Sequence, residues 1–138
     1  MTSTIHVQLL VPERSLFAGD ATLVALRAGD GDIAFLANHA PFMATVQICV
    51  VKIERLDDEV LYVAVHGGFV RVAKNEVVIL ADVAELANEI DRDRARSALA
   101  SAEAELAQSV EDAVVETTLR RAQVRLEVAS TSTRAFHS

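Results

Sequence analysis

The chain is short of most features that announce a chemistry. It has a single cysteine, Cys49, so no internal disulfide framework can hold it together. Cys49 lies in the apolar run "VQICVV" and reads as a small core residue rather than a reactive thiol. There is no excess of positive charge. The formal net charge is −7, which excludes broad nucleic-acid binding, because such binding needs a basic surface to release counterions. No apolar run approaches the ~20 residues a membrane helix requires, so direct membrane insertion is not expected. The opening "MTSTIHVQLL" lacks the basic and long apolar regions of a secretory signal, and the chain is expected to be cytoplasmic. There is no P-loop and no G-x-G-x-x-G. "HGGF", His66 to Phe69, weakly resembles an oxyanion-hole motif, but no G-x-S-x-G accompanies it. The four histidines, His6, His39, His66 and His137, stand on separate segments without metal-ligand spacing. Nothing supplies a nucleophile with an oriented base, and the chain is expected to be non-catalytic.

What is present begins with strands. "TIHVQLLV" alternates, with Ile5, Val7 and Leu9 on one face and His6 and Gln8 on the other, the period of a half-buried strand. A short strand at Ser15–Phe17 follows, punctuated by Pro12 and Gly19, and then "ATLVALRA". Asp30-Gly31 between apolar runs predicts a hairpin. Pro41 breaks "NHAPF". "MATVQICVVKIERL" is long enough to bend or to cross between sheets. "VLYVAV" is another strand, "HGG" breaks it, and "FVRVA" and "EVVIL" face each other across Lys74-Asn75. Some eight to ten short strands with no helical crossover predict a sandwich or barrel rather than a parallel sheet. His39 and His66 are read as loop residues and His6 as solvated.

From Asp91 the pattern changes. Ala95, Leu99, Ala102 and Leu106 recur at spacings of four, three and four, and Val115, Leu119, Ala122, Leu126 and Ala129 continue the same seam after "QSVED". The short break predicts an antiparallel helical hairpin. Its Ala-rich seam buries little apolar area, so the hairpin must rest on the β domain or on a partner. The expected domains are 1–86, all β, and 87–138, the hairpin, with a frayed tail from about residue 130. Asp91 is placed to cap the first helix.

Arginine carries most of the positive charge, since only Lys52 and Lys74 are lysines. Arg92, Arg94 and Arg96 open the first helix; Arg120, Arg121 and Arg125 lie on the second, where Arg121 and Arg125 share a face. An antiparallel hairpin brings Arg121 and Arg125 towards Asp91 and Arg94. Two readings stay open. One is a solvated face paired with Glu103, Glu105 and Glu127. The other is an anion site at a helix N-terminus.

The ordered pieces "VQLLVPERSLFAGDATLVAL", "GDGDIAFLANHAPF", "HGGFVRV", "VVILADVAE", "EIDRDRARSAL" and "RRAQVRLEV" together cover nearly the whole chain. In them the sequence resembles the epsilon subunit family of bacterial F-type ATP synthase, counterpart of the mitochondrial delta subunit. The resemblance implies a flattened ten-strand β-sandwich followed by two antiparallel helices. It implies a non-catalytic rotor subunit, peripheral on the cytoplasmic face of the cell inner membrane. The β domain would join gamma to the c-ring, in support of ATP synthesis driven by the proton gradient. The hairpin would alternate between folded and extended states, the extended one restraining hydrolysis at the alpha/beta catalytic head. No cofactor is required, but in some bacteria the folded hairpin binds ATP through I/L-D-x-x-R-A, here Ile90, Asp91, Arg94 and Ala95. Arg121 and Arg125 match the family's R-A-x-x-R-L, and Glu85 its acidic residue before the linker. Ser101 stands where the family often has Arg, which implies weak, millimolar ATP binding. On the same ground Asp32 is expected to face the c-ring, His39 to face gamma, and Arg120, with Arg121 and Arg125, to engage the catalytic beta subunits.

Overall fold

A computed structural model describes residues 3–108 and 112–136, with side chains up to residue 131. Residues 109–111 and His137 lie outside the described residues. Seven strands come first: β1 (Ile5–Val11), β2 (Arg14–Ala28), β3 (Gly31–Phe35), β4 (Phe42–Arg55), β5 (Val60–Ala73), β6 (Glu76–Ala81) and β7 (Ala84–Leu86). A 3-10 turn at Ala87–Glu89 leads to α1 (Arg92–Ala107) and α2 (Ala113–Phe136).

The strands are fewer and longer than the eight to ten read from the sequence. β2, β4 and β5 run for 15, 14 and 14 residues. Gly19 does not end a strand at Phe17: it sits inside β2, opposite Val7 of β1, and a Cβ there would lie 3.4 Å from the Phe17 ring. "HGG" does not break β5. Gly67 and Gly68 adopt φ of 86° and 152°, and the ladder runs through them, with Gly68 opposite both Val46 and Ala81. A Cβ on Gly68 would fall 2.3 Å from the carbonyl oxygen of Leu80, so only glycine lets the two backbones approach this closely.

The order β1-β6-β5-β4-β2-β3, with β1 also paired to β2, closes five strands into a ring. This flattened barrel leaves few open edges. One pair, β1 with β6, is parallel, although no helix crosses between them. The chain returns to β1 through the intervening strands instead. β5 pairs with β7 along Val63–Val65 and with β6 from Gly68 onward, so it serves two neighbours on the same side. The Lys74-Asn75 turn is where the pattern put it. Lys74 and Asn75 carry positive φ of 50° and 59° in the β5–β6 hairpin. The β2–β3 loop is Gly29-Asp30, one residue earlier than expected, since Ala28 pairs with Gly31.

The interior is one apolar cluster drawn from β1 to β7, in which Ile5, Val7, Leu9, Val24, Phe35, Val51, Ile53 and Val65 are fully buried. Cys49 belongs to it, and burial raises its thiol pKa. The helices pack as the antiparallel hairpin expected. Ala95 and Ala102 of α1 and Val115, Ala122 and Ala129 of α2 are buried, while Leu99, Leu106, Leu119 and Leu126 are half-buried. α2 continues past residue 130, where the tail was expected to begin, to Phe136. Just before residue 130, Val128 and Ala129 are buried, and the Thr131 hydroxyl donates within the helix to the Glu127 carbonyl at 2.7 Å.

Candidate functional site

The hairpin rests on the outer face of β4 and β5. Val124, Val128 and Ala129 of α2 and Ile90 of the linker form a second small core with Ala64, flanked by Ile48, Val50, Tyr62 and Ala87. Val124 lies two residues, or about 200°, around the helix from Ala122. α2 is therefore buried on two sides: a seam towards α1 and a valine stripe towards the sheet. Covering the second face of β5 buries the unbroken run Val63–His66, where a half-buried strand would alternate.

At one end of this contact stand three polar side chains. His66 is inside β5, on the covered face, with its side chain 1% exposed; it is not a loop residue. Its Nε2 lies 2.8 Å from Glu85 Oε1 on neighbouring β7. Arg125 of α2 donates from Nε to the same oxygen at 2.7 Å. The Glu85 carboxyl is held below its ordinary pKa, first by the His66 bond and then by Arg125, against the opposing effect of burial. With Nε2 donating to Glu85, the other ring nitrogen, Nδ1, is buried without a partner.

Asp91 caps α1 as expected: its Oδ1 accepts from the Arg94 amide at 3.0 Å. Ile90 and Ala95, the apolar members of I-D-x-x-R-A, are buried. The start of α1 and the end of α2 do lie together, since Arg92 Nη2 donates to the Ala129 carbonyl at 2.8 Å. Arg14 of β2 pairs with Glu89 of the linker. Glu85 and Arg125 are thus brought together, but no contact joins them to the guanidinium groups of Arg94 or Arg121. Among the described residues those two exposed groups make no hydrogen bond or ion pair, and Glu103, Glu105 and Glu127 do not pair with them.

Asp32 and Arg120, expected to serve different partners, line one open groove of about 520 Å³ between α2 and strands β2 to β4. Asp32 is 82% exposed and lies 3.3 Å from Arg27. Arg120 donates to the Ile48 carbonyl at 3.4 Å. His39 is half-buried, its ring set edge-on to Phe35 at 5.0 Å and its Nδ1 bonded to the Ala40 carbonyl at 2.7 Å. His6 is not simply solvated, for it pairs with Asp20 at 3.2 Å.

Sequence reasoning missed an exposed apolar strip. Phe69 of β5 lies opposite both Leu80 of β6 and Thr45 of β4, and Met43 lies two residues along the same face. Met43 and Leu80 are 63% and 50% exposed, far more than a strand core tolerates. The available signal was "VVIL", Val77 to Leu80, which is apolar at both phases of the alternation.

The architecture defines a class: a closed β barrel with its own core, a second apolar surface open to partners, and a helical hairpin docked by a small separate contact. Residues 4–87 match the family described as ATP synthase, Delta/Epsilon chain, beta-sandwich domain. The "ATP synthase epsilon chain" of Streptomyces avermitilis is 41% identical over 130 residues, 94% of this chain and 98% of that one. That of Halalkalibacterium halodurans is 38% identical over 91% of this chain and 97% of its own. A chain in a cryo-EM structure of the Euglena gracilis mitochondrial ATP synthase shares the fold at TM-score 0.70 and 20% identity, covering 98% of this chain and 82% of that one. The chain belongs to the ATP synthase epsilon-chain family, non-catalytic subunits of that complex. Among the described residues no helix is long and apolar enough to cross a membrane.

Proposed function

We propose that this chain is a central-stalk subunit of a proton-translocating ATP synthase, linking gamma to the c-ring and restraining ATP hydrolysis through its hairpin. The observation that carries this reading is the separation of two cores. The barrel interior and the five-residue cluster under α2 share no buried residue, so the hairpin can leave without opening the barrel. The strip of Met43, Phe69 and Leu80 suits gamma, and exposed Asp32 suits the c-ring; His39 stands near gamma. The complex holds the chain peripherally on the cytoplasmic face of the membrane. Extended, the hairpin presents Arg120, Arg121 and Arg125 to acidic groups of the catalytic beta subunits. Two measurements on the assembled enzyme test this. Removing residues 110–138 raises ATP hydrolysis while the tagged chain still brings down gamma and the catalytic head; no rise refutes an inhibitory hairpin. Asp32→Lys weakens coupling in membranes; unchanged coupling removes Asp32 from the interface.

A second reading adds ATP as a weak regulatory ligand of the folded hairpin, at Glu85, Ile90, Asp91, Arg94, Ala95, Arg121 and Arg125. It is favoured by the Arg94 guanidinium, which makes no ion pair among the described residues and stands at the capped start of α1. Calorimetry at ~5 mM ATP, above a millimolar Kd, gives heat with the parent and none with Arg94→Ala. No heat with the parent leaves Asp91 as a cap alone.

A further inference from the structure

We propose that His66, Glu85 and Arg125 form a ligand-independent latch that holds the hairpin on β5, with His66 as the positioning residue. The latch concerns only the docked state and stands whether or not the extended hairpin restrains hydrolysis. Three observations lead to it. First, one oxygen, Glu85 Oε1, accepts from two elements, β5 at 2.8 Å and α2 at 2.7 Å. Of the side-chain bonds between α2 and the barrel among the described residues, the other is Arg120 to the Ile48 carbonyl, longer at 3.4 Å and exposed. A charge-assisted bond to a part-buried carboxylate is the stronger of the two. Second, the imidazole is buried beneath α2 with one nitrogen unpaired. An apolar side chain would fit such a place without the penalty of an unpaired polar atom. What the ring does in return is aim the Glu85 carboxylate at Arg125. Third, Arg125 already faces a carboxylate inside the chain, so its charge needs no external anion for the hairpin to stay down.

Glu85 and Arg125 also belong to the set expected to bind ATP, and the latch gives them a task without it. A nucleotide that used Arg125 would have to share or displace Glu85. Docking is then complete in the absence of ATP, and ATP changes it little.

Hydrogen exchange on the full chain without nucleotide tests the latch, read separately for α2 and for β1 and β6. In the parent, α2 amides within 113–131 are protected. Arg125→Gln and His66→Leu each speed α2 exchange by about tenfold, the scale of one charge-assisted bond. β1 and β6 stay unchanged. His66→Gln, whose side-chain amide can still donate to Glu85, keeps most of the protection. The double variant His66→Leu/Arg125→Gln opens little further than either single one. The latch is overturned if Arg125→Gln leaves α2 exchange unchanged, if His66→Gln opens α2 as far as His66→Leu, or if parent α2 is unprotected until ATP is added. Should His66→Leu disturb β1 and β6 as well, Arg125→Gln and His66→Gln carry the test alone.

Discussion

The small core under α2 makes hairpin docking tunable by one buried side chain, Val128. It is fully buried among Ala64, Ile90, Val124 and Ala129, and none of these belongs to the barrel interior. Val128→Ala removes two methyl groups, worth ~0.8 kcal/mol each in lost burial, and leaves a small cavity besides. The expected loss is about 1.6 kcal/mol or slightly more. That weakens docking by about fifteenfold. Because the contact is separable, the loss appears as local opening of α2 and not as global unfolding. Limited proteolysis of the full chain reads the first and urea unfolding of the β barrel reads the second. Cleavage within α2 accelerates by about the same fifteenfold when opening is fast relative to cutting, while the barrel midpoint stays put. On the proposed inhibitory role of the extended hairpin, its greater population is expected to lower ATP hydrolysis in the assembled enzyme. A fall in the barrel midpoint with no change in α2 cleavage would show the two cores to be one cooperative unit, and the argument for a movable hairpin would fail.

Gly68→Ala puts a Cβ 2.3 Å from a backbone oxygen at a φ of 152°, so it destabilises the barrel by on the order of 4 kcal/mol or more; a melting curve close to the parent's would refute the close approach. Asp91→Ala removes the α1 cap, costing about 1 kcal/mol, and the amide of Arg94, which donates to it, exchanges faster in NMR while the barrel amides do not. Acidification follows Glu85, which faces His66 from β5 and Arg125 from α2 and is held below its ordinary pKa. A depressed folded pKa means that Glu85 stabilises docking above the usual carboxylate range. That contribution is lost as pH falls through the lower folded value. α2 protection therefore declines as pH falls from the ordinary carboxylate range towards the lower docked value and has lost the whole Glu85 contribution below it, whereas Glu85→Gln abolishes that dependence.

Local chemistry was legible in the sequence wherever the cause was local. The alternation of Ile5, Val7 and Leu9 marked β1 because a strand exposes one face at a time. Lys74-Asn75 marked a tight hairpin, and Asp91 marked the cap of α1, each because the deciding atoms lie within four residues. The Ala95 and Ala102 seam marked the hairpin for the same reason. The likeness to the family added the order of the pieces and the candidate set Glu85, Asp91, Arg94, Arg121 and Arg125.

Tertiary structure decided the rest. Whether Gly67-Gly68 ends a strand depends on Leu80, thirteen or twelve residues away, which fills the space a side chain would need at Gly68. The closure of the ring by β1 onto β6, His6 opposite Glu76, is a pairing of distant segments that no local pattern encodes. The seam on α2 showed one buried face, but Val124 and Val128 became buried only because β5 lies across the other. His66 followed the same course. By sequence it stood before two glycines and read as a loop; burial under α2 made it an imidazole with a single partner. Arg125 could have paired with any nearby carboxylate or with an anion. Its partner was fixed by where β7 leaves Glu85 against the docked helix, forty residues away along the chain. Periodicity and capping are short-range and sequence carries them whole, whereas the choice of partner for a buried polar group is made by packing.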